Sequence, residues 1–308
     1  MNIEKKINFN FFNFPFFYFR LITTIFVLGR NGFFSLILKL NVLSPKLKLF
    51  LKFLIYILEK KNLNDFEKFL PKTLSKLGPG FIKLGQALST RPDIFGLKNT
   101  NKLVYLQDRL EPFSTRKAIE IIEEKIGLKL DQVFLNFNES PVAAASVAQV
   151  YEATLISGEK VAVKILRPNI EKILLQDFKF FFWISKQIEF FKPSFRRFKL
   201  SEMVKIFFQS SINEVDLRLE ASSANELKEN FNDFKRFKVP KIYWEFTSKE
   251  VMVLEFVDGV RIDKIQNNKK INFDLEELTK LASEIFFLQV FRDGFFHADL
   301  HPGNIFVD

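Results

Sequence analysis

Cysteine is absent from the chain. Disulfides, thiolate nucleophiles and cysteine-bound zinc are therefore excluded, and the composition is compatible with a reducing cytosol. Histidine is nearly as scarce. His297 and His301 are the only two, so chemistry that needs several histidines is excluded. Their spacing is that of the zinc motif His-Glu-x-x-His, but the glutamate position holds Ala298 and Pro302 follows at once. With no third ligand in evidence, zinc hydrolysis does not fit. No convincing membrane span is present either. The best stretch, Phe11 to Leu28, is interrupted by Asn13, Pro15 and Arg20, whereas a span needs about 20 largely apolar residues. No small-residue cleavage site follows it, which argues against a signal peptide. Tryptophan and tyrosine number 2 and 5, against 41 phenylalanines. Lysine, asparagine and isoleucine are abundant too, so codon bias accounts for the excess and single phenylalanines carry little meaning.

What is present begins with charge. The net charge is +10, and residues 1–60 contribute +7 of it through nine Lys/Arg against Glu4 and Glu59. The same stretch is rich in Phe, Leu and Ile. Cations interleaved with bulky apolar residues suit the surface of an anionic membrane, where each contributes about 1 kcal/mol. Helices packed on the rest of the domain would have a similar pattern. A solvated arm for nucleic acid would be less apolar, so no nucleic-acid partner is expected. At 308 residues and 47% hydrophobic, the chain can build one large domain or two small ones.

Helices dominate the first part. Pro45 after Ser44 marks a helix start. The helical pattern from Leu63 to Asp93 is interrupted at Gly78-Pro79-Gly80, and the second helix should end by Arg91 because Pro92 disfavours it. A further amphipathic helix covers 115–126 and closes at Gly127. The pattern then alternates, predicting strands over about 147–155 and 160–166 around a Ser157-Gly158-Glu159 turn. Helices are expected over 169–192 and 201–231, a strand over Val251 to Val257 before an Asp258-Gly259 turn, and a helix over 274–293 with Leu278, Leu281, Ala282 and Ile285 on one face. A polar loop, Phe296 to Asn304, precedes Ile305-Phe306-Val307.

Chemistry concentrates in that loop. In His297-Ala298-Asp299-Leu300-His301-Pro302-Gly303-Asn304, an Asp and an Asn five residues apart can face one phosphoryl-transfer centre. Asp299 can orient a nucleophile or accept its proton, and the Asn304 side-chain oxygen suits Mg²⁺. Protein kinases space the same pair alike in His-Arg-Asp-x-x-x-x-Asn, although an Asx-rich turn would look the same in isolation. Val161-Ala162-Val163-Lys164 places a lysine on a buried strand, where it needs a partner. Kinases use such a lysine to hold the ATP phosphates and pair it with a helix glutamate. An edge-strand lysine snorkelling to water is the alternative. Glu214, Asp216 and Glu220 are the candidate partners, with Asp216 and Glu220 four apart on one helix face. Ala143-Ala144-Ala145-Ser146 stands where a kinase has its glycine loop. Alanine resists the backbone conformations glycine allows, so this loop should be stiffer. Val251 to Val257 is similar to the strand entering a kinase hinge, where the backbone at Glu255 and Val257 would bind adenine.

Together these pieces resemble the UbiB family of atypical kinases, also called aarF-domain or ABC1-type kinases. The diagnostic element is Phe81-Ile82-Lys83-Leu84-Gly85-Gln86, matching the K-x-G-Q signature and followed by Ser89-Thr90-Arg91-Pro92-Asp93. Glu214-Val215-Asp216 matches E-x-D, Glu220 the helix glutamate, Pro141 to Val150 the alanine-rich loop, and His297 to Asn304 the catalytic loop. The match runs over roughly residues 20–308, in family order. The resemblance implies an α+β, protein-kinase-like two-lobe fold. Residues 1–60 would be a basic apolar membrane-associating region and 61–130 a helical extension packed on the active site. Residues 131–257 would form the N-lobe and 258–308 the start of an incomplete C-lobe. It implies Asp299 as catalytic residue and Asn304 as metal ligand. ATP would be held by Lys164, Glu220, Ala143 to Ser146, Glu255 and Val257. Lys83, Gln86, Glu214 and Asp216 would form a regulatory set, with Lys83 near Glu214, that hinders phosphorylation of proteins. The implied activity is that of an ATP- and Mg²⁺-dependent atypical kinase or ATPase in ubiquinone biosynthesis. It would lie peripherally on the cytoplasmic side of the inner membrane, working with isoprenoid quinone precursor lipids and ubiquinone-biosynthesis proteins. A small-molecule phosphotransferase of the aminoglycoside or choline kinase type shares the His-x-Asp-x-x-x-x-Asn loop but lacks the Lys83–Gln86 helix. A non-catalytic membrane adaptor is the third reading. One departure bears on it: the sequence ends at Asp308, before the position of an Asp-Phe-Gly-like metal ligand, and the last strand is expected to lack its hairpin partner. A truncated product or fragment is the expectation.

Overall fold

The computed structural model describes residues 14–38, 45–59, 63–89, 111–267, 274–296 and 304–307. Its elements, in chain order, are α1 (Phe14–Arg30), α2 (Phe33–Leu38), α3 (Pro45–Leu58), α4 (Leu63–Leu77) and α5 (Pro79–Ser89). Then come α6 (Thr115–Ile126), α7 (Leu130–Val133), β1 (Phe134–Phe137), β2 (Ala143–Ala144), β3 (Ala148–Leu155) and β4 (Lys160–Leu166). Helices α8 (Ile170–Phe191), α9 (Leu200–Asn213) and α10 (Leu217–Asn230) follow, then β5 (Val251–Glu255), β6 (Val260–Arg261), α11 (Leu275–Phe287) and β7 (Phe306–Val307). The architecture is α+β, as the sequence led us to expect. Two compact units emerge: residues 1–112, 144–148 and 167–215 form the first, and 113–143, 149–166 and 216–308 the second.

The first unit is helical. Its core gathers Phe17 of α1, Leu74 and Leu77 of α4, Phe81 and Ile82 of α5, and Phe180 and Trp183 of α8. Arg20, the charge that interrupts the apolar run of α1, is not exposed to lipid or water alone. Its guanidinium donates to Asp177 Oδ1 on α8 at 2.7 Å and to the Leu77 carbonyl. Asp177 Oδ2 accepts from the Gly80 N–H at 3.0 Å. One buried carboxylate thus ties α1, α8 and the first turn of α5. It satisfies an N-terminal amide that the helix itself leaves unpaired. Burial pushes the Asp177 carboxyl up from its ordinary value, against the pull of Arg20 and the Gly80 amide.

Gly78 adopts φ +112°, and a Cβ on Gly80 would sit 2.5 Å from Asp177 Cβ. Only a bare backbone lets α5 approach α8 this closely, which is why glycines flank Pro79. Gly80→Ala is expected to destabilise the protein by about 1–3 kcal/mol through overpacking, read from denaturant unfolding. The raised Asp177 pKa carries a sign as well. The native fold gains from it below the ordinary carboxylate pKa and loses that gain as pH rises through the folded value. Stability of the native chain relative to Asp177→Asn should therefore fall as pH rises from about 4. Parallel pH profiles for the two proteins would contradict this.

The second unit contains the sheet, with strand order β1-β3-β4-β5 and β2 paired on β3. Strand β4 alternates as its sequence suggests. Val161, Val163 and Ile165 are fully buried, against Ile121 and Ile122 of α6, Tyr151 of β3 and Val253 of β5. Period-2 geometry then sends Ala162 and Lys164 to the opposite face. In the antiparallel β4–β5 register, Lys164 lies opposite Met252 and Val161 opposite Glu255.

Two readings change. The helix expected over 201–231 is two helices, α9 and α10, broken at Glu214–Asp216. Asp216 leaves helical geometry (φ −129°, ψ 95°) and caps α10, its side chain accepting from the Arg218 N–H. The strand expected over 251–257 ends at Glu255. The closing strand, expected to lack a hairpin partner, pairs antiparallel with β6, Val260 opposite Val307.

Candidate nucleotide site and its helical companion

Lys164 and Glu220 meet in the second unit. The Lys164 ammonium donates to Glu220 Oε1 at 2.6 Å and to Oε2 at 2.8 Å. The geometry follows from local rules. Leu217 and Ala221 are buried, so α10 lays that face inward. The Leu217 N–H donates to the Lys249 carbonyl at 3.0 Å, pinning the helix start just ahead of β5. Glu220 falls in the first turn, where a carboxylate also meets the positive end of the helix dipole. The lysine side chain is 25% exposed and the glutamate 47%. An ion pair this accessible contributes at most about 1 kcal/mol to stability. It does fix the ammonium on the open face of the sheet, with donor capacity left for an anion.

Asp216, the third candidate partner, does not join this pair. Its carboxylate takes the Arg218 guanidinium at 2.9 and 2.7 Å, and those hydrogen bonds hold its pKa below the usual carboxylate range. Along β5, the Glu255 N–H donates to the Lys241 carbonyl at 2.8 Å. The Glu255 carboxylate is bonded to Lys238 and accepts from the Lys241 N–H. Burial raises its pKa and these partners, prevailing, lower it. Glu255 is thus tied down through N–H and side chain. At Phe256 the N–H is likewise committed, to the Lys160 carbonyl at 3.1 Å. Val257 follows in irregular backbone, half-buried.

Lys83, Gln86, Glu214 and Ala144 to Ser146 lie in the first unit. Lys83 of α5 is buried, its side chain only 5% exposed, and is paired with Glu214 at the end of α9. Gln86, one turn further, donates to Ser146 Oγ at 3.4 Å. Of the alanine run, Ala143 and Ala144 are strand rather than loop, and Ala145 N–H donates to the Ala148 carbonyl at 2.8 Å. Arg167 grips the rest. Its Nε donates to the Ala145 carbonyl at 3.0 Å, its N–H to the Val147 carbonyl at 2.8 Å and its Nη2 to the Glu111 carbonyl at 2.9 Å. Burial pulls the Arg167 pKa down. Arg167 thus holds this segment at two of its carbonyls, Ala145 and Val147. Nothing in the sequence around Arg167 announces this, since an arginine after a strand is commonplace.

Removing the Glu214 carboxylate would leave a buried ammonium without its counter-charge. Glu214→Gln is expected to cost about 1–3 kcal/mol. Lys83→Met, which removes the charge and keeps the stem, should be close to neutral. Chemical denaturation of both variants checks the order; equal losses would contradict it.

Asp299 and the rest of His297–Gly303 lie outside the described residues. Asn304 lies among them, exposed, just before β7. The ammonium that Glu220 holds out fits a triphosphate. Of the magnesium ligands expected from the motif, Asn304 supplies an amide oxygen, and among the described residues no group of three or more His, Cys, Asp or Glu could hold a metal ion.

A strand lysine held by a helix glutamate, on an antiparallel sheet whose last strand leads into a turn, is the arrangement of a kinase-like lobe. The comparisons agree. The ABC1 atypical kinase-like domain matches residues 105–308. The chain belongs to the ABC1 atypical kinase-like family. It is 42% identical over 234 residues to the probable protein kinase UbiB of Pseudomonas paraeruginosa, covering 76% of this chain and 44% of that protein. The probable protein kinase UbiB of Marinobacter nauticus is 42% identical over 235 residues, covering 76% and 43%. The chain thus spans less than half the length of these curated relatives. Among solved structures, Rv3197 of Mycobacterium tuberculosis in complex with erythromycin is similar, with TM-score 0.52 and 29% identity over 78% of this chain and 60% of that one.

Proposed function

We propose that this UbiB-type protein binds ATP at Lys164 and Glu220 and uses it, as an atypical kinase or ATPase, in ubiquinone biosynthesis at a membrane surface. The observation that carries the reading is the two-bonded Lys164–Glu220 pair. Lys164 would hold phosphate oxygens and Glu220 would keep the ammonium aimed. The backbone from Glu255 to Val257 would take the adenine edge. Asn304 would hold magnesium, which supplies charge neutralisation on the phosphates when bound, and Asp299 would orient the phosphoryl acceptor. Saturable binding of a fluorescent ATP analogue in the presence of Mg²⁺, displaced by ATP, is expected of the purified chain. Failure to bind, in a folded preparation, would contradict the reading.

The membrane part rests on the first unit. Helix α3 exposes Leu49, Phe50, Phe53 and Tyr56, between 55% and 89% accessible, with Lys48 and Lys52 on the same helix. Burying such a face at an anionic interface gains apolar and electrostatic energy together. Among the described residues no helix is long and apolar enough to cross a membrane. Attachment at the cytoplasmic side of the inner membrane, peripheral for these residues, is the proposed location, with isoprenoid quinone precursor lipids and ubiquinone-biosynthesis proteins as proposed partners. Phe50→Ser with Phe53→Ser should lower co-sedimentation with anionic vesicles about tenfold or more. Unchanged partition would refute this contact. The substitutions are surface changes, whereas deleting the N-terminal helices would take Phe17 and Arg20 out of the core.

A further inference from the structure

The turn between α8 and α9 is unlike the rest of the surface. Residues 190–199 are exposed without a break. Those ten residues comprise four phenylalanines, four cations, Pro193 and Ser194, with no acid. Phe190 and Phe191 are 69% and 74% exposed and meet edge to face at 5.2 Å. Phe195 and Phe198 sit in the 3₁₀ turn Pro193–Phe198, edge to face at 5.7 Å. Lys192 and Arg197 lie over two of these rings, with Arg197 4.6 Å from the Phe198 centroid. Codon bias explains phenylalanines in number. It does not explain why four of them leave the core together, interleaved with cations.

The turn is also built, not loose. The Phe195 N–H donates to the Lys192 carbonyl at 2.9 Å and Arg196 Nε to the Glu189 carbonyl at 3.0 Å. Glu189, the nearest acid, is turned to the base of the turn, where it accepts from Ser201 N–H and Oγ at 2.9 and 3.1 Å. The charge presented outward is therefore of one sign.

We infer that the α8–α9 turn is a second lipid contact, which inserts its phenylalanines into the headgroup boundary of an anionic bilayer while its cations meet the lipid phosphates. This rests on the membrane reading proposed above and adds a site to it. Three observations choose a bilayer over other occupants. The cations complement an anionic surface, and their long stems let the charges stay at headgroup level while the rings go deeper. Exposed Met203 and Ile206 on α9 add aliphatic area, which suits acyl chains and offers nothing for bases to stack on. Helix α1 also carries exposed apolar residues toward the end of α8 where the turn lies. Arg20 meets Asp177 and the Phe17 and Tyr18 rings meet Trp183, so α1 runs antiparallel to α8 with its N-terminal end toward the turn. Phe16 and Phe19, both exposed, lie at that end.

The lack of native cysteine makes the test direct. Single cysteines are introduced in the whole chain as Phe191→Cys, as Tyr56→Cys on α3, and as Arg116→Cys in the second unit, and each is labelled with an environment-sensitive fluorophore. Mixed phosphatidylglycerol–phosphatidylcholine vesicles are expected to blue-shift and brighten the label at 191, with quenching by lipid-borne bromine, and to leave the label at 116 unchanged. Phosphatidylcholine alone should have little effect. A response at 56 without one at 191 overturns the second contact and leaves the membrane reading standing. Silence at both overturns both. A response at 191 to protein concentration without lipid, or to a single-stranded oligonucleotide, assigns the turn to another partner and also overturns it. In unlabelled protein, Phe190→Ser with Phe191→Ser should weaken vesicle binding about tenfold. It should leave the thermal transition in place, because both side chains are already exposed.

Discussion

Lys164→Ala is expected to weaken Mg-ATP binding about 10- to 100-fold while leaving the fold intact. The affinity figure is the worth of a charge-assisted hydrogen bond to phosphate, about 1.5–3 kcal/mol. The stability figure is separate. The ammonium is 25% exposed and its partner 47%, so the native ion pair contributes at most about 1 kcal/mol to folding. Val161, Val163 and Ile165, which carry the packing of β4, are untouched. Glu220→Gln keeps a hydrogen-bond acceptor but loses the charge that aims the lysine. It should fall between the native protein and Lys164→Ala. A titration in which all three bind nucleotide equally would remove Lys164 from the site.

The largest effect is expected at Asp299. If it orients the acceptor or takes its proton, Asp299→Asn should lower ATP turnover about 10²- to 10⁴-fold, the usual contribution of a general base, with nucleotide affinity little changed. The split matters more than the size. On the proposed roles Lys164 would act on the ground state, so its loss should appear in binding, whereas Asp299 would act on the reacting atoms, so its loss should appear in turnover alone. Phosphate release by the whole protein, measured beside direct nucleotide titration, separates the two. Loss of both properties in Asp299→Asn would make the residue structural.

Several of these residues were legible in the sequence because they sit on short-period patterns. Val161-Ala162-Val163-Lys164 announces its lysine: alternation puts Val161 and Val163 inward and Ala162 and Lys164 on the opposite face. Glu220 was one of three candidate partners on a helical pattern, and the family resemblance singled it out. Lys83 and Glu214 were joined by motif resemblance, and they do pair. What was not legible depends on distance along the chain. Arg20 counted only as a flaw in an apolar run until Asp177, 157 residues away, accepted it. The same carboxylate explains the glycines beside Pro79, which the sequence presents merely as a helix break. The break at Glu214–Asp216 was hidden because no glycine or proline marks it. What decides it is a side-chain cap, Asp216 to the Arg218 N–H, which competes with the helical backbone. The exposed phenylalanines of the α8–α9 turn were hidden by the abundance of phenylalanine elsewhere.

The central claim is that the Lys164–Glu220 pair holds the phosphates of a nucleotide. A structure of the protein with Mg²⁺ and a non-hydrolysable ATP analogue tests it most directly. The account predicts a phosphate oxygen within hydrogen-bond distance of Lys164 Nζ, Glu220 still bonded to that ammonium, and the adenine edge on the backbone that follows β5. Nucleotide bound with its phosphates away from Lys164, or an ammonium that leaves Glu220 without meeting phosphate, would contradict it.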